Sequence, residues 1–416
     1  MTALFFAGTY FIMTTYAEYI AQLQNGTKKL YSLESEVPAR DALDIRRAYI
    51  EAETDCSLEH IGAYTIPVDE VALKNCENMI GTIQVPLGVA GPLLVNGEYA
   101  KGSFWLPLAT TEGALVASVN RGCSAITKAG GAEVRIFADA MTRAPVFSTD
   151  SISHAKKVHD WILTHEQEIR DVIESKTKFG KLQGIHVVTV GTSVHVRFSL
   201  FTGDAMGMNM ITITSENACE FISEKTGAKL VSLSGNFCTD KKPAAVTSIM
   251  GRGKTVSAGV HIKHADIEKI FKTDAVSLLD VHIRKNLAGS ARAHSLGFNA
   301  HAANIVCAMF IALGQDPAHV VEGSLCITTI EPTDDGVYAA ITLPALPVGT
   351  IGGGTRVATQ QDCLSLLGVS GTGDVPGDHA KKLAEIIAAG VLAGELSLLG
   401  AQAAQHLARA HQKLGR

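Results

Sequence analysis

Three polar islands interrupt a chain that is otherwise apolar and rich in glycine: Thr110-Thr111-Glu112-Gly113, Asp240-Lys241-Lys242-Pro243 and Gly314-Gln315-Asp316. A histidine pair, His406 and His411, adds a fourth on the last expected helix. Together they offer an acid, a fixed cation, a second carboxylate and a proton donor. Charge is costly to bury without a partner, so islands of this kind point to a reaction centre.

Each island also has an ordinary reading. Glu112 sits near the start of an apolar helix, where a carboxylate can simply cap the helix and face its dipole. The chemical alternative is a buried glutamate with a raised pKa that donates a proton near neutrality. Adjacent lysines such as Lys241 and Lys242 are usually solvated. These two, however, follow Ser234-Gly235-Asn236 and precede Pro243 between apolar segments. A lysine held in such a loop could stabilise an oxyanion, with Asp240 orienting it or binding a hydroxyl. Asp316, in Gly-Gln-Asp-Pro, reads alone as a turn residue. His406 and His411 lie five apart, a poor spacing for a shared metal, and no metal is expected. A terminal helix carrying a histidine with an ordinary pKa is the sharper reading.

Two stretches suggest a dinucleotide. Gly203-Asp204-Ala205-Met206-Gly207-Met208-Asn209 leads from a strand into a helix, where free N–H groups and the dipole receive phosphate or ribose. It lacks the GxGxxG pattern, which argues against a Rossmann fold. Gly349-Thr350-Ile351-Gly352-Gly353-Gly354-Thr355 permits close backbone approach to a ligand, although tight turns and a methionine-filled core explain both stretches equally well.

These groups must be positioned by the rest of the chain. Its 416 residues suffice for two or three domains, and 46% hydrophobic against 19% charged residues excludes disorder. A net charge of −5 without a basic run gives no reason for nucleic-acid binding. Eight scattered cysteines without a CxxC pair speak for a reducing, cytoplasmic setting. Residues 1–12 are apolar, too short to span a membrane and without signal-peptide anatomy; they read as an extended start ahead of Met13. The apolar stretch Ile386 to Ala404 is interrupted by Glu395 and reads as a packed helix, not a membrane span.

Residues 1–76 form an N-terminal helical segment with a break at Pro67. From residue 77 short strands broken by Gly and Pro precede a helix from Thr111 to Lys128. The middle third reads as strand 133–140, a helix over 152–177, two alternating strands joined at Gly191-Thr192-Ser193, a helix over 205–226 and a strand over 229–234. That order, β-α-β-β-α-β, is a ferredoxin-like split unit. Helices at 263–273, 275–290 and 299–313, a β segment at 325–345 and a helical stretch at 378–413 follow. The expected fold is α+β: a large, mainly helical substrate-binding domain (77–143 and 244–416), an inserted small α/β domain (144–233) and a connecting loop (234–243).

Taken together, ENMIGTIQVPLGVAGP, LATTEGALVASVNRGCSAI, GDAMGMNM, SGNFCTDKKPAA, NAHAANIV, GQD, GTIGGGT and AGELSL make residues 77–413 resemble the 3-hydroxy-3-methylglutaryl-coenzyme A reductases. DKKP, GQD and the terminal histidine are closer to the class I type than to the degradative class II type. The resemblance implies a large domain that binds the coenzyme A thioester, a small domain that binds NADP(H), and a homodimer or homotetramer with active sites between protomers. It implies reduction of 3-hydroxy-3-methylglutaryl-CoA to mevalonate by two NADPH, without a membrane anchor. Carried over by motif, Glu112, Lys241 and Asp316 are catalytic and His411 protonates the thiolate. Arg143, Ser234, Asp240, Lys242, Lys285 and Asn304 match substrate-binding positions. Asp204, Met206, Gly207, Met208 and Asn209 match dinucleotide contacts, and Gly353 and Gly354 join them as the close-approach glycines. Arg197 is the one candidate for a 2′-phosphate. Two rival uses stay open: NAD-dependent mevalonate oxidation, and a non-catalytic coenzyme A-binding protein.

Overall fold

The computed structural model describes residues 16–404. The chain divides into two units, Met1–Pro86 with Arg356–Thr359, and Leu87–Thr355 with Gln360–Arg416.

In the first unit residues 16–24 are helical, followed by helix α1 (Ala39–Thr54) and short helical turns at Glu59–Gly62 and Val68–Val71. Pro67 stands immediately before the last turn, where a missing N–H costs nothing. Helix α1 ends at Asp55, whose φ of 51° leaves the helical region. It buries two faces: Ala42 and Ile45 pack with Leu23 and Leu33, and Ala39 and Leu43 pack with Val68, Val71 and Met79.

The second unit opens with strands β1 (Leu87–Asn96) and β2 (Lys101–Ala109), helix α2 (Leu115–Lys128) and the long strand β3 (Ala132–Arg143). The expected short broken strands are one ten-residue strand, β1, with a register shift between Ala90 and Leu93 that takes up Gly91 and Pro92. Next come β4 (Val146–Ser148), α3 (Ile152–Thr164), α4 (Glu166–Glu174), β5 (Lys181–Val190), β6 (Ser193–Phe201), α5 (Met208–Thr226) and β7 (Lys229–Ser232). The helix expected over 152–177 is interrupted at His165, which stacks on Trp161. Strand pairing runs β7-β4-β6-β5, antiparallel throughout. This segment has its own core, in which Phe147, Val158, Ile162, Val196, Phe198 and Ile222 are buried.

Strand β3 joins the two sheet regions. Residues Glu133–Ala140 pair with β8 (Gly253–Lys263), and Met141–Arg143 pair with β6. Helix α6 (Ala302–Ala312), strands β9 (Ile327–Thr333) and β10 (Gly336–Leu346), and helix α7 (Asp378–Ala403) follow, with shorter helical segments between them. Strand β10 lies between β8 and β9, so the large part carries an extensive antiparallel sheet in place of the expected mainly helical domain. The difference turns on β8. Val256, Ala258, Val260 and Ile262 are all buried, a two-residue alternation that marks a strand despite the glycines around it.

Helix α7 is long and apolar enough to cross a membrane by length and composition, yet 94% of its apolar window is buried inside the protein. It packs against α2, α6 and β8. A Cβ on Gly122 of α2 would lie 1.9 Å from the carbonyl oxygen of Ala393, so the α2–α7 crossing requires glycine there.

Candidate active site

The loop between β7 and the helix Ala245–Met250 places Lys241. Three non-glycine residues in this loop have left-handed backbones: Asn236 (φ 63°), Thr239 (φ 54°) and Lys241 (φ 57°). Such conformations are disfavoured for residues with a Cβ and persist where surrounding contacts over-determine them. The Lys241 ammonium lies 2.7 Å from Asp316 Oδ2. Asp316 Oδ1 meanwhile accepts the Ala318 N–H at 3.0 Å, capping the short helix Pro317–His319. Asp316 is thus both the turn residue that its sequence setting suggests and the partner of a lysine. The hydrogen bond from Lys241 to Asp316 holds the ammonium above the usual lysine range. Burial pushes the Asp316 carboxyl up, but Lys241 and the Ala318 N–H outweigh it and leave the group below its ordinary value.

Asp240 faces inward. Its Oδ1 lies 3.1 Å from His319 Nε2 and accepts from Arg252 Nη2 at 2.8 Å. The His319 contact, then Arg252 and Lys241, hold its pKa near about 2 against the opposing effect of burial. Lys242 turns back to donate to the carbonyl of Asp240 at 2.9 Å. Ser234 Oγ lies 3.4 Å from Cys238 Sγ at the start of the loop. Arg143, at the end of β3, has a buried Nε with no hydrogen-bond partner among the described residues.

A second polar group forms around α6. Asn304 donates to Glu112 Oε1 at 3.2 Å and lies 3.3 Å from His301 Nδ1. Glu112 precedes α2 instead of opening it, and its side chain is exposed. The buried glutamate expected from sequence is thus not formed within one chain. Lys285 lies in the π-helical segment His282–Gly289, a type of irregularity common at functional sites. It donates to the Ala300 carbonyl at 3.3 Å, and burial lowers its pKa. Beneath it, the fully buried Glu395 accepts the Ala300 and His301 N–H groups at 2.7 Å each and the Thr328 hydroxyl at 2.7 Å.

No hydrogen bond or ion pair joins the Lys241 group to the Glu112 group among the described residues. His411 and His406 lie outside the described residues.

The two glycine stretches do meet. Ala205 bridges Ile351, the Thr350 N–H donates to the Asp204 carbonyl at 2.8 Å, and a Cβ on Gly349 would come within 2.3 Å of Met206 N. Asp204 is buried, and its carboxylate is occupied by the Gly373 and Ala380 N–H groups at 3.2 and 3.0 Å. Each oxygen accepts one N–H, which ties Asp204 to the start of α7 and leaves lone pairs on both oxygens. Met206 and Met208 pack on the small core. Gly207 caps α5 at φ 98° with no side-chain cap, leaving the first N–H groups of a nineteen-residue helix open, with exposed Asn209 beside them. Nothing lies within 4 Å of a Cβ on Gly352 or Gly353, whereas a Cβ on Gly354 would come within 2.7 Å of Gly314 O. Open amides and an unobstructed glycine shelf suit a dinucleotide. Arg197 does not contribute charge there: it is buried and donates to the Gly251 carbonyl at 2.6 Å.

Sequence reasoning misses Arg252, His319, Glu322, His301 and Glu395 as members of these groups. Arg252 is detectable as a charge between Gly251 and Gly253 at the start of an apolar strand. His319 and Glu322 follow Asp316 at helical spacing but have the types and setting of surface residues.

The hydroxymethylglutaryl-coenzyme A reductase family model matches residues 42–416. The 3-hydroxy-3-methylglutaryl-coenzyme A reductase of Methanocaldococcus jannaschii is 52% identical over 410 residues, covering 97% of this chain and 100% of that protein. That of Methanothermobacter thermautotrophicus is 51% identical over 395 residues, covering 95% and 98%. Among solved structures, the class II 3-hydroxy-3-methylglutaryl-CoA reductase of Streptococcus pneumoniae bound to NADPH in open conformations is similar in fold. Its TM-score is 0.65 at 19% identity, covering 90% of this chain and 100% of that one.

Proposed function

The chain belongs to the hydroxymethylglutaryl-coenzyme A reductase family, and from that premise we propose how it works. It reduces 3-hydroxy-3-methylglutaryl-CoA to mevalonate and CoA, a four-electron change, with the Lys241–Asp316 pair as the electrostatic centre. The observation that carries the reading is that pair, 2.7 Å apart on a loop forced into left-handed backbone.

The α5 N-terminus and the Gly352–Gly353 shelf would hold NADPH, which would supply the hydrides. The chain's own residues do the rest. Lys241, kept charged by Asp316, stabilises the oxyanion that develops on the thioester carbonyl and again on the aldehyde. His411 protonates the departing thiolate. Glu112 donates the proton that completes the alcohol, oriented by Asn304. Arg143, Ser234, Asp240, Lys242, Lys285 and Asn304 bind the hydroxymethylglutaryl group.

The exposed Glu112 group and the separate Lys241 group support an oligomer in which each protomer supplies half of an active site. The strand order β7-β4-β6-β5 is that of a split β-α-β unit, which supports the small segment 144–233 as the dinucleotide-binding domain inserted into the large one. Class I membership rests on the DKKP and GQD motifs and the terminal histidine, since the solved structure reported above is a class II enzyme and its 19% identity speaks only to fold. Eight free cysteines support a cytoplasmic location.

Absorbance at 340 nm with the thioester, comparing NADPH with NADH, tests the assignment. Rapid oxidation of NADPH with NADH poor is expected. A clear NADH preference would indicate the degradative use, and the buried Arg197 makes that comparison necessary.

The charge on Lys241 makes a pH prediction. Because Asp316 raises its pKa, Lys241 stays protonated through neutral pH and contributes no loss of kcat there. Asp316→Asn removes the largest raising interaction while burial still lowers the pKa, so the alkaline limb of kcat is expected at lower pH than in wild type. Identical alkaline limbs in the two proteins would contradict the assignment.

A further inference from the structure

Beneath the catalytic loop lies a buried charge cluster that none of the roles above uses. Arg252 and Glu322 are both fully buried, with Arg252 Nη1 3.3 Å from Glu322 Oε1. The same glutamate oxygen accepts the backbone N–H of Lys241 at 3.2 Å. Arg252 spends its other donors on the loop as well: Nε on the Cys238 carbonyl at 3.2 Å and Nη2 on Asp240 at 2.8 Å. Nη2 also reaches Met208 Sδ of the dinucleotide loop at 2.9 Å.

Asp240, His319 and Glu322 each bring one ligand atom within 4.8 Å of the others, a grouping a divalent cation could use. Arg252 bonds to two of the three, so the positive charge that a cation would bring is already supplied. The cluster is better read as a support for the loop.

That loop needs one. Lys241 is in a left-handed conformation that its Cβ disfavours, and its ammonium must meet Asp316 on a different segment. Glu322 lies six residues after Asp316 and grips the main chain of Lys241 itself. One short segment, 316–322, thus fixes the lysine at both ends: Asp316 at Nζ and Glu322 at N–H. Burial raises the Glu322 pKa, and His319 and Arg252 act against that rise while Arg252 holds the carboxylate in place.

We propose that Glu322, braced by Arg252, is a positioning residue that aims Lys241 at the reacting carbonyl. The inference rests on the reductase reading. It assigns Glu322 no contact with substrate and makes its effect one of geometry, where an error near 1 Å costs on the order of 100-fold in rate.

The test is single-turnover oxidation of NADPH at 340 nm by the full-length protein, saturated with thioester, comparing wild type, Glu322→Ala and Glu322→Gln. The rate constant of such a transient does not depend on how much of the preparation is active; its amplitude does. Glu322→Ala is expected to lower the rate constant about 10- to 100-fold, with KM for the thioester within about two-fold of wild type. Glu322→Gln, whose amide oxygen can still accept the Lys241 N–H, is expected to recover part of the loss. A reduced amplitude with an unchanged rate constant would overturn the proposal, because it would make Glu322 a residue for folding only. If the alanine variant does not fold, Glu322→Gln decides: a slowed rate constant supports the proposal and a wild-type value overturns it. Failure of the wild type to oxidise NADPH would instead refute the reductase reading, so the two failures are distinguishable.

Discussion

Lys241→Ala is expected to leave a folded protein whose kcat falls by about 10³-fold, with KM for the thioester little changed. Loss of one neutral oxyanion donor costs on the order of 10²- to 10³-fold, and Lys241 is a full cation. Its charge is secured by an ion pair of 2.7 Å, and its position by a backbone that the loop would not otherwise adopt. The substitution also leaves Asp316 without its cation, so a negative charge would face the developing oxyanion. The side chain is 43% exposed, so removing it opens no core cavity, and the melting temperature should move little. Steady-state kinetics with a thermal melt in parallel check both halves. A kcat within ten-fold of wild type would remove Lys241 from the mechanism.

Glu112→Gln is the second large effect, again about 10³-fold in kcat, and it carries more information when combined with the first. Glu112 bonds Asn304 and not Lys241, and the proposed assembly draws these two halves of the chemistry from different protomers. In a two-fold assembly with shared sites, a mixed dimer of Lys241→Ala and Glu112→Gln protomers places both defects in one site and leaves the other intact. Co-expression with two tags and purification of the mixed species should therefore restore about half of the wild-type activity from two nearly inactive parents. A mixed dimer as inactive as its parents would place each site within a single chain.

Much of this is legible in the amino-acid sequence alone. The alternation in IHVVTV and VHVRFSLF specifies the hairpin of β5 and β6, and the Gly/Asn/Pro setting of Lys241 marks it as more than a solvated lysine. Sequence reasoning fails where local pattern and tertiary context compete. Strand β8 escapes it because glycine and serine dilute its alternation, and the long sheet it belongs to is lost with it. Asp204 carries the right residue type for a ribose contact, and its carboxylate also accepts from two amides some 170 residues further along the chain, at Gly373 and Ala380. No spacing rule reveals that. Glu322 and Arg252 lie seventy residues apart and meet only in three dimensions, as do Glu112 and Asn304.

The measurement that bears most directly on the account is the stoichiometry of the reaction. The purified protein, a limiting amount of 3-hydroxy-3-methylglutaryl-CoA and excess NADPH would be followed at 340 nm to completion, with free thiol and mevalonate measured in the same sample. Two NADPH oxidised, one CoA thiol released and one mevalonate formed per thioester are expected. One NADPH per thioester with an aldehyde as the end product would show that the same lysine does not serve both reductions, and no oxidation at all would contradict the reductase assignment outright.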